Sequence, residues 1–183
     1  MSSNQINEAV RILQQGGVIA YPTEAVYGLG CDPAHLQAVQ KLLELKQREP
    51  DKGLILIAAD FEQLSPFLAE IEDSLKEQVL ATWPGPVTWL WPAKTEVSTW
   101  LRGEHTTIAI RVTAHPLAAE LCRTFGGALV STSANVSGKP PARNAAQVRA
   151  QFNNQLDFVL EGEVGGLATP SQIRDVLSGR VLR

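Results

Sequence analysis

Apolar positions recur along this chain with two periods. Residues 4–15 repeat every three to four positions, with Ile6, Ala9, Val10 and Leu13 on one face and Gly16-Gly17 as the stop, and so predict a first helix. Val18-Ile19-Ala20-Tyr21 is a short apolar strand ended by Pro22, and a glycine-containing stretch from Val26 to Cys31 follows it. Residues 34–46 return to the helical period through Leu36, Val39, Leu42 and Leu43, with Lys46 at the end. Leu54 to Ala59 is a continuous apolar run, the pattern of a strand buried on both faces. Residues 60–82 predict one or two helices broken near Pro66. Val87 to Trp91 alternates as a strand does, and Thr107 to Val112 does so again. A helix over 115–125 starting at His115-Pro116, a strand from Ala128, a helix from Asn144 to Phe152 and a strand at Phe158-Val159-Leu160 come next. The last stretch, to Arg183, also reads as strand.

Strands and helices mix without a strict βαβ rhythm, since no helix separates Val87–Trp91 from Thr107–Val112. The expected fold is therefore α/β: a twisted sheet of mixed parallel and antiparallel strands with flanking helices, rather than a purely doubly wound one. At 183 residues the chain predicts one domain, 1–183. The net charge of −3 argues against a general polyanion binder and leaves room for a local basic groove. Cys31 and Cys122 are too few for a disulfide framework or a zinc cluster, so a reduced, cytoplasmic protein is expected. The N-terminus does not resemble a signal peptide, and no apolar run approaches the roughly 20 residues that span a bilayer.

The strand from Ala128 changes character as it runs. Ala128-Leu129-Val130 is apolar; Ser131-Thr132-Ser133-Ala134-Asn135 is small and polar. Alternation puts Ser131, Ser133 and Asn135 on one face, a poor core and a good ligand-binding rim. Upstream stand Lys46-Gln47-Arg48 and Lys52. Cations in one place and neutral donors in another suit a phosphorylated, polar small molecule. Lys46 and Arg48, two apart on a helix, point nearly opposite ways, so service of one ligand requires the chain to leave the helix between them. The plainer reading is a pair of cations complementing a helix C-terminus. In Thr107-Ile108-Ala109-Ile110-Arg111 the isoleucines face the core and Thr107, Ala109 and Arg111 face the other way. An arginine there needs either an anionic ligand or a structural partner among the Asp and Glu residues. His35, His105 and His115 have no metal-ligand spacing, and no Ser-His-Asp or Cys-His arrangement indicates covalent catalysis. The chain lacks both a Rossmann fingerprint and a P-loop.

Tyr21-Pro22-Thr23-Glu24, Lys46-Gln47-Arg48, Pro84-Gly85-Pro86-Val87-Thr88, Ala109-Ile110-Arg111-Val112 and Ser131 to Gly138 occur together in the order found in the YrdC/TsaC family. The chain resembles the short bacterial form of that family over nearly its whole length. The resemblance implies a YrdC-like fold around a concave, basic groove. It implies a nucleotidyltransferase that condenses L-threonine, bicarbonate and ATP into threonylcarbamoyl-AMP and pyrophosphate, for the N6-threonylcarbamoyladenosine modification of tRNA. Carried over residue by residue, it makes Lys46 and Arg48 catalytic, with Lys46 reaching phosphate or the carbonate-derived group. It assigns ATP contacts to Arg48, Lys52, Thr107, Asn135, Arg143 and Arg183, and contacts to threonine or its carbamoyl product to Thr23, Arg111, Ser133 and Ser171. Magnesium would arrive with ATP, without a protein metal cluster. Further partners would be tRNA, bound weakly, and the proteins that transfer the threonylcarbamoyl group.

Two departures from the family pattern stand out. Ala25 replaces a threonine found in many relatives, and Lys52 stands where other members have Asn. Longer members carry an extra C-terminal domain, so an end at Arg183 is expected of the single-domain form. Two other readings compete: an RNA-binding maturation factor without chemistry, and a carbamoyl-transfer domain like that inside hydrogenase-maturation proteins. The site reading expects Arg111, Ser133 and Asn135 in one groove. It also expects neither Lys46 nor Arg48 in the core, so that alanine at either position removes activity and keeps the fold.

Overall fold

The computed structural model describes residues 2–182. Eight strands are described: β1 (Ile19–Pro22), β2 (Tyr27–Gly30), β3 (Ile55–Ala58), β4 (Val87–Pro92), β5 (Thr107–Val112), β6 (Leu129–Ser133), β7 (Phe158–Val159) and β8 (Gln172–Asp175). The helices are α1 (Ser2–Gln14), α2 (Leu36–Lys46), α3 (Asp73–Leu80), α4 (Thr99–Arg102), α5 (Pro116–Phe125) and α6 (Ala145–Phe152). The strands form one sheet in the order β7-β1-β2-β6-β3-β5-β4-β8. The pairs β1/β7, β3/β5 and β4/β8 are parallel and the other neighbours antiparallel, which is the mixed sheet expected.

The two faces of the sheet are used differently. On one, Leu54, Leu56, Ala58, Trp89, Trp91, Ile108, Ile110, Val112 and Val130 join Val39 and Leu42 of α2 and Val148 and Phe152 of α6 in the larger core. On the other, α1 and α5 cover only part of the sheet. Ile6, Ala9, Val10 and Leu13 of α1 meet Leu121 and Cys122 of α5 over Ile19, Tyr21, Ile57 and Leu129. The predicted apolar face of the first helix is the buried one, and the side chains of Leu56 and Ile57 are buried on opposite faces of β3. The part of the second face that α1 and α5 leave bare is where the polar ends of β5 and β6 emerge.

His115 begins α5: its Nδ1 accepts from the Ala118 amide at 3.3 Å, so Nε2 carries the proton and donates to the Glu163 carbonyl at 3.0 Å. Two elements were not visible in the hydrophobic pattern. The strand β2 places glycine at alternate positions, so the face that would have signalled alternation has no side chains. A Cβ at Gly30 would come within 2.4 Å of the Val130 carbonyl oxygen and 2.6 Å of the Tyr21 ring. The short helix α4 is capped by Ser98, whose side chain accepts from the Trp100 amide, and one turn is too brief to display a period.

Candidate functional site

A cavity of about 550 Å³ opens over the bare half of the sheet. Its floor follows from strand register. Ser131, Ile55, Ala109 and Leu90 stand in one row across β6, β3, β5 and β4, and all four line the cavity. Thr107 and Arg111 lie one pleat to either side of Ala109 on the same face and line it too. That is the face assigned to them from sequence. Gly28 pairs with Ser133 and adds no side chain, and a Cβ there would lie 3.3 Å from the Ser131 hydroxyl, inside the floor.

The Thr107 end is cationic. The chain leaves α2 at Gln47, whose φ of 51° is left-handed, and Arg48 then turns to the cavity with its Nη2 donating to the Gly53 carbonyl at 3.0 Å. Lys52 follows on the next turn. The unit of α4 and the loop after it is tied to this segment by Leu54 N to Leu101 O at 2.7 Å and Glu104 N to Asp51 O at 3.3 Å. It brings Arg102 and His105 to the same wall. The sequence reading weighed His105 only as a metal ligand, and Arg102 escaped it because that residue sits outside the recognised motifs and its approach depends on Gly103. That glycine has φ +68° and a virtual Cβ 2.1 Å from the Asp51 carbonyl oxygen.

The opposite end of β5 holds a buried ion pair. Arg111 Nη1 donates to Glu24 Oε1, which also accepts from Thr113 Oγ1 at 2.8 Å and the Ala114 amide at 3.0 Å. Both residues are buried and both line the cavity, so Arg111 has a structural partner and a place at the site. Glu24 Oε2 and Arg111 Nε are buried without a protein partner. Burial alone would raise the Glu24 pKa, but the charge and hydrogen bond of Arg111, with the Thr113 hydroxyl, hold it below the ordinary 4.5. A depressed carboxyl contributes stability that is complete above pH 4.5 and is lost as pH falls through the folded value. Glu24→Gln is therefore expected to flatten the acid limb of the stability–pH curve, measured by urea denaturation at a series of pH values. An unchanged acid limb would contradict the assignment.

Thr23, Ala25, Ser133 and Ser171 complete the walls. Thr23 Oγ1 donates to the Val26 carbonyl at 2.7 Å and shapes the turn that presents Glu24. The Ser171 hydroxyl is 2.8 Å from that of Thr88. Pro86, from the rigid turn, also lines the cavity.

Three expectations about placement are corrected. Lys46 is 3% exposed and is absent from the described cavity lining, because its Nζ turns to the end of β6 and donates to Ser133 O at 2.5 Å and Asn135 O at 2.9 Å. It is a buried residue, so alanine there will disturb the fold as well as activity. Asn135 is not part of the floor, since β6 ends at Ser133 and the alternation ends with it. Its Nδ2 donates to Val136 O at 3.1 Å and Lys139 O at 2.9 Å. The strands β5 and β6 are antiparallel and separated by β3, yet Thr107, Arg111, Ser131 and Ser133 share the cavity. Arg143 lies outside the described lining and donates to Ala168 O at 3.0 Å, joining the segments that carry the lining residues Pro141 and Pro170. Arg183 lies outside the described residues.

Comparison with known proteins gives one consistent result. Residues 11–183 match the Sua5/YciO/YrdC family model, whose description is telomere recombination. Over 179 residues the chain is 55% identical to a protein named threonylcarbamoyl-AMP synthase from Nitrosococcus oceani, covering 98% of this chain and 97% of that one. A protein of the same name from Stenotrophomonas maltophilia is 54% identical over 185 residues, with full coverage of both. Among solved structures, P. abyssi Sua5 complexed with L-threonine superposes with a TM-score of 0.91 at 32% identity. That match covers 97% of this chain, which spans 53% of the length of Sua5.

Proposed function

This chain belongs to the Sua5/YciO/YrdC family, and from that premise we propose that it is an enzyme of tRNA modification, a nucleotidyltransferase that makes threonylcarbamoyl-AMP and pyrophosphate from L-threonine, bicarbonate and ATP. The observation that carries this reading is the polarity of the cavity along β5. Arg48, Lys52 and Arg102 stand toward the Thr107 end and the Arg111–Glu24 pair toward the other, and Thr107 and Arg111 are about 13 Å apart along the strand. That length suits a triphosphate beside an amino acid.

The reaction needs alignment and charge neutralisation rather than a protein nucleophile. Threonine and bicarbonate give a carbamate with loss of water. A carbamate oxygen attacks the α-phosphorus, and the bond from that phosphorus to the bridging oxygen of the β-phosphate breaks to release pyrophosphate. Arg48 and Lys52 counter the phosphate charge, Arg102 adds to the same field, and Thr107 meets the nucleotide. Thr23, Arg111, Ser133 and Ser171 meet threonine or its carbamoyl derivative. Glu24, the only carboxylate among the described lining residues, is committed to Arg111, and no cluster of three or more metal-binding side chains occurs among the described residues. Such walls fit a magnesium ion held by phosphate oxygens and water. When bound it would neutralise charge on the phosphates. The product then passes to tRNA through separate threonylcarbamoyl-transfer proteins. No helix of the described residues is long and apolar enough to cross a membrane.

Purified protein supplied with ATP, magnesium, threonine and bicarbonate is expected to accumulate threonylcarbamoyl-AMP and release pyrophosphate. Serine should be a poorer substrate by about 10–200-fold, the worth of one methyl group in a pocket. Pyrophosphate release that ignores the omission of threonine or of bicarbonate would overturn this reading, and no release under any of these conditions would leave the RNA-binding one in its place.

A further inference from the structure

We propose that Lys46 is a positioning residue: it pins the exit of β6, keeps the Thr132–Ser133 wall of the cavity in shape, and touches no substrate. The inference rests on the functional reading above and assigns the two cations of Lys46-Gln47-Arg48 to different tasks.

The geometry separates them. The left-handed turn at Gln47 sends Arg48 to the cavity and leaves Lys46 facing the other way, under the end of β6. An ammonium group has three hydrogens. Here Ser133 O lies at 2.5 Å, Asn135 O at 2.9 Å and Asn135 Oδ1 at 3.4 Å, so each has an acceptor. The main chain of the same residue closes the bracket, since Lys46 O accepts from the Ser137 amide at 2.9 Å. Asn135 Oδ1 accepts in turn from the Ser133 hydroxyl at 2.6 Å. Lys46, Ser133 and Asn135 thus bond mainly to one another, and only Ser133 among them also lines the cavity.

A strand that ends abruptly leaves carbonyls that need donors. Ser133 O and Asn135 O converge on one point, and a lysine reaching from a neighbouring helix supplies a single donor group for both. A lysine that swung out to a phosphate would leave Asn135 O without its donor, and Ser133 O with only the Asn135 amide, which donates to it at 2.9 Å. Burial, with the charge of Arg48 added, pushes the Lys46 pKa down to about 8, which agrees with an amine enclosed by protein.

The test compares full-length Lys46→Met with Arg48→Met by calorimetric binding of ATP, AMP and threonine, each added alone. The unaltered protein is measured first, and its failure to bind ATP or threonine would overturn the functional reading and this inference together. For Lys46→Met the expected result is a loss of affinity for ATP and for AMP by a common factor, within about twofold. Threonine binding should also weaken, by about tenfold or more, because the wall has moved. Arg48→Met should instead cut the ATP-to-AMP affinity ratio by about tenfold or more. A selective loss of ATP affinity in Lys46→Met would make Lys46 a phosphate contact and overturn the proposal. Unchanged binding with only a lower Tm would reduce it to a structural residue and overturn it as well. Asn135→Ala, which keeps the lysine in its slot, serves if Lys46→Met does not fold. It should weaken threonine binding in the absence of nucleotide, and threonine affinity at the unaltered level would reject the clamp.

Discussion

Arg48→Ala should lower kcat/KM for ATP by about 10²–10³-fold, the usual cost of removing one preorganised donor from a site where charge develops. The fold should tolerate the change. Arg48 is half-buried and donates a hydrogen bond to Gly53 O, only five residues away, so a thermal melt should move little. Arg48→Lys should recover only part of the loss, since an ammonium cannot reproduce the planar fork of a guanidinium. Turnover at the unaltered rate in Arg48→Ala would return this residue to the simpler task of complementing the C-terminal end of α2.

Glu24→Ala should have the largest effect on stability, about 3–5 kcal/mol, because it leaves the Arg111 guanidinium buried without its counter-charge. For a chain of this size that is a fall in Tm of about 6–20 °C. Thr113 Oγ1 and the Ala114 amide lose their acceptor in the same stroke. The pairing of Glu24→Leu with Arg111→Met should recover much of the stability while leaving threonine binding abolished, since a buried pair is costlier to break than to replace. A single alanine variant that melts with the parent would show that the pair contributes nothing to the fold.

Much of the sheet was legible from periodicity alone. In β5 the residues Thr107, Ala109 and Arg111 separate from Ile108 and Ile110 because a strand has period two, and the cavity lies on the predicted side. The neutral half of the site, Ser131 and Ser133, was legible for the same reason up to the last residue of the strand. Asn135 was not, since alternation says nothing once the chain turns. The task of Lys46 was hidden more deeply. Its acceptors, Ser133 O and Asn135 O, are main-chain atoms distant in sequence, and no side-chain pattern announces a carbonyl in need of a donor. Glu24 was visible as a member of the Tyr21-Pro22-Thr23-Glu24 motif. Its partnership with Arg111 was one of two open possibilities, and the fold resolves it by pairing the two while both line the cavity.

The position of β6 has a consequence for the order in which this molecule is assembled. Without β6 the sheet falls into two separate pieces, β7-β1-β2 and β3-β5-β4-β8, because it is the strand hydrogen-bonded to both β2 and β3. A growing chain that has emerged only through α5 exposes both of those edges unpaired, and the hydroxyls of Ser131 and Ser133 arrive with the strand that closes them. The seam of the sheet and the floor of the cavity are therefore one object. Substrates that bind this floor also hold the two halves together, so they should slow amide hydrogen exchange in β2, β3 and β6 ahead of the rest of the sheet.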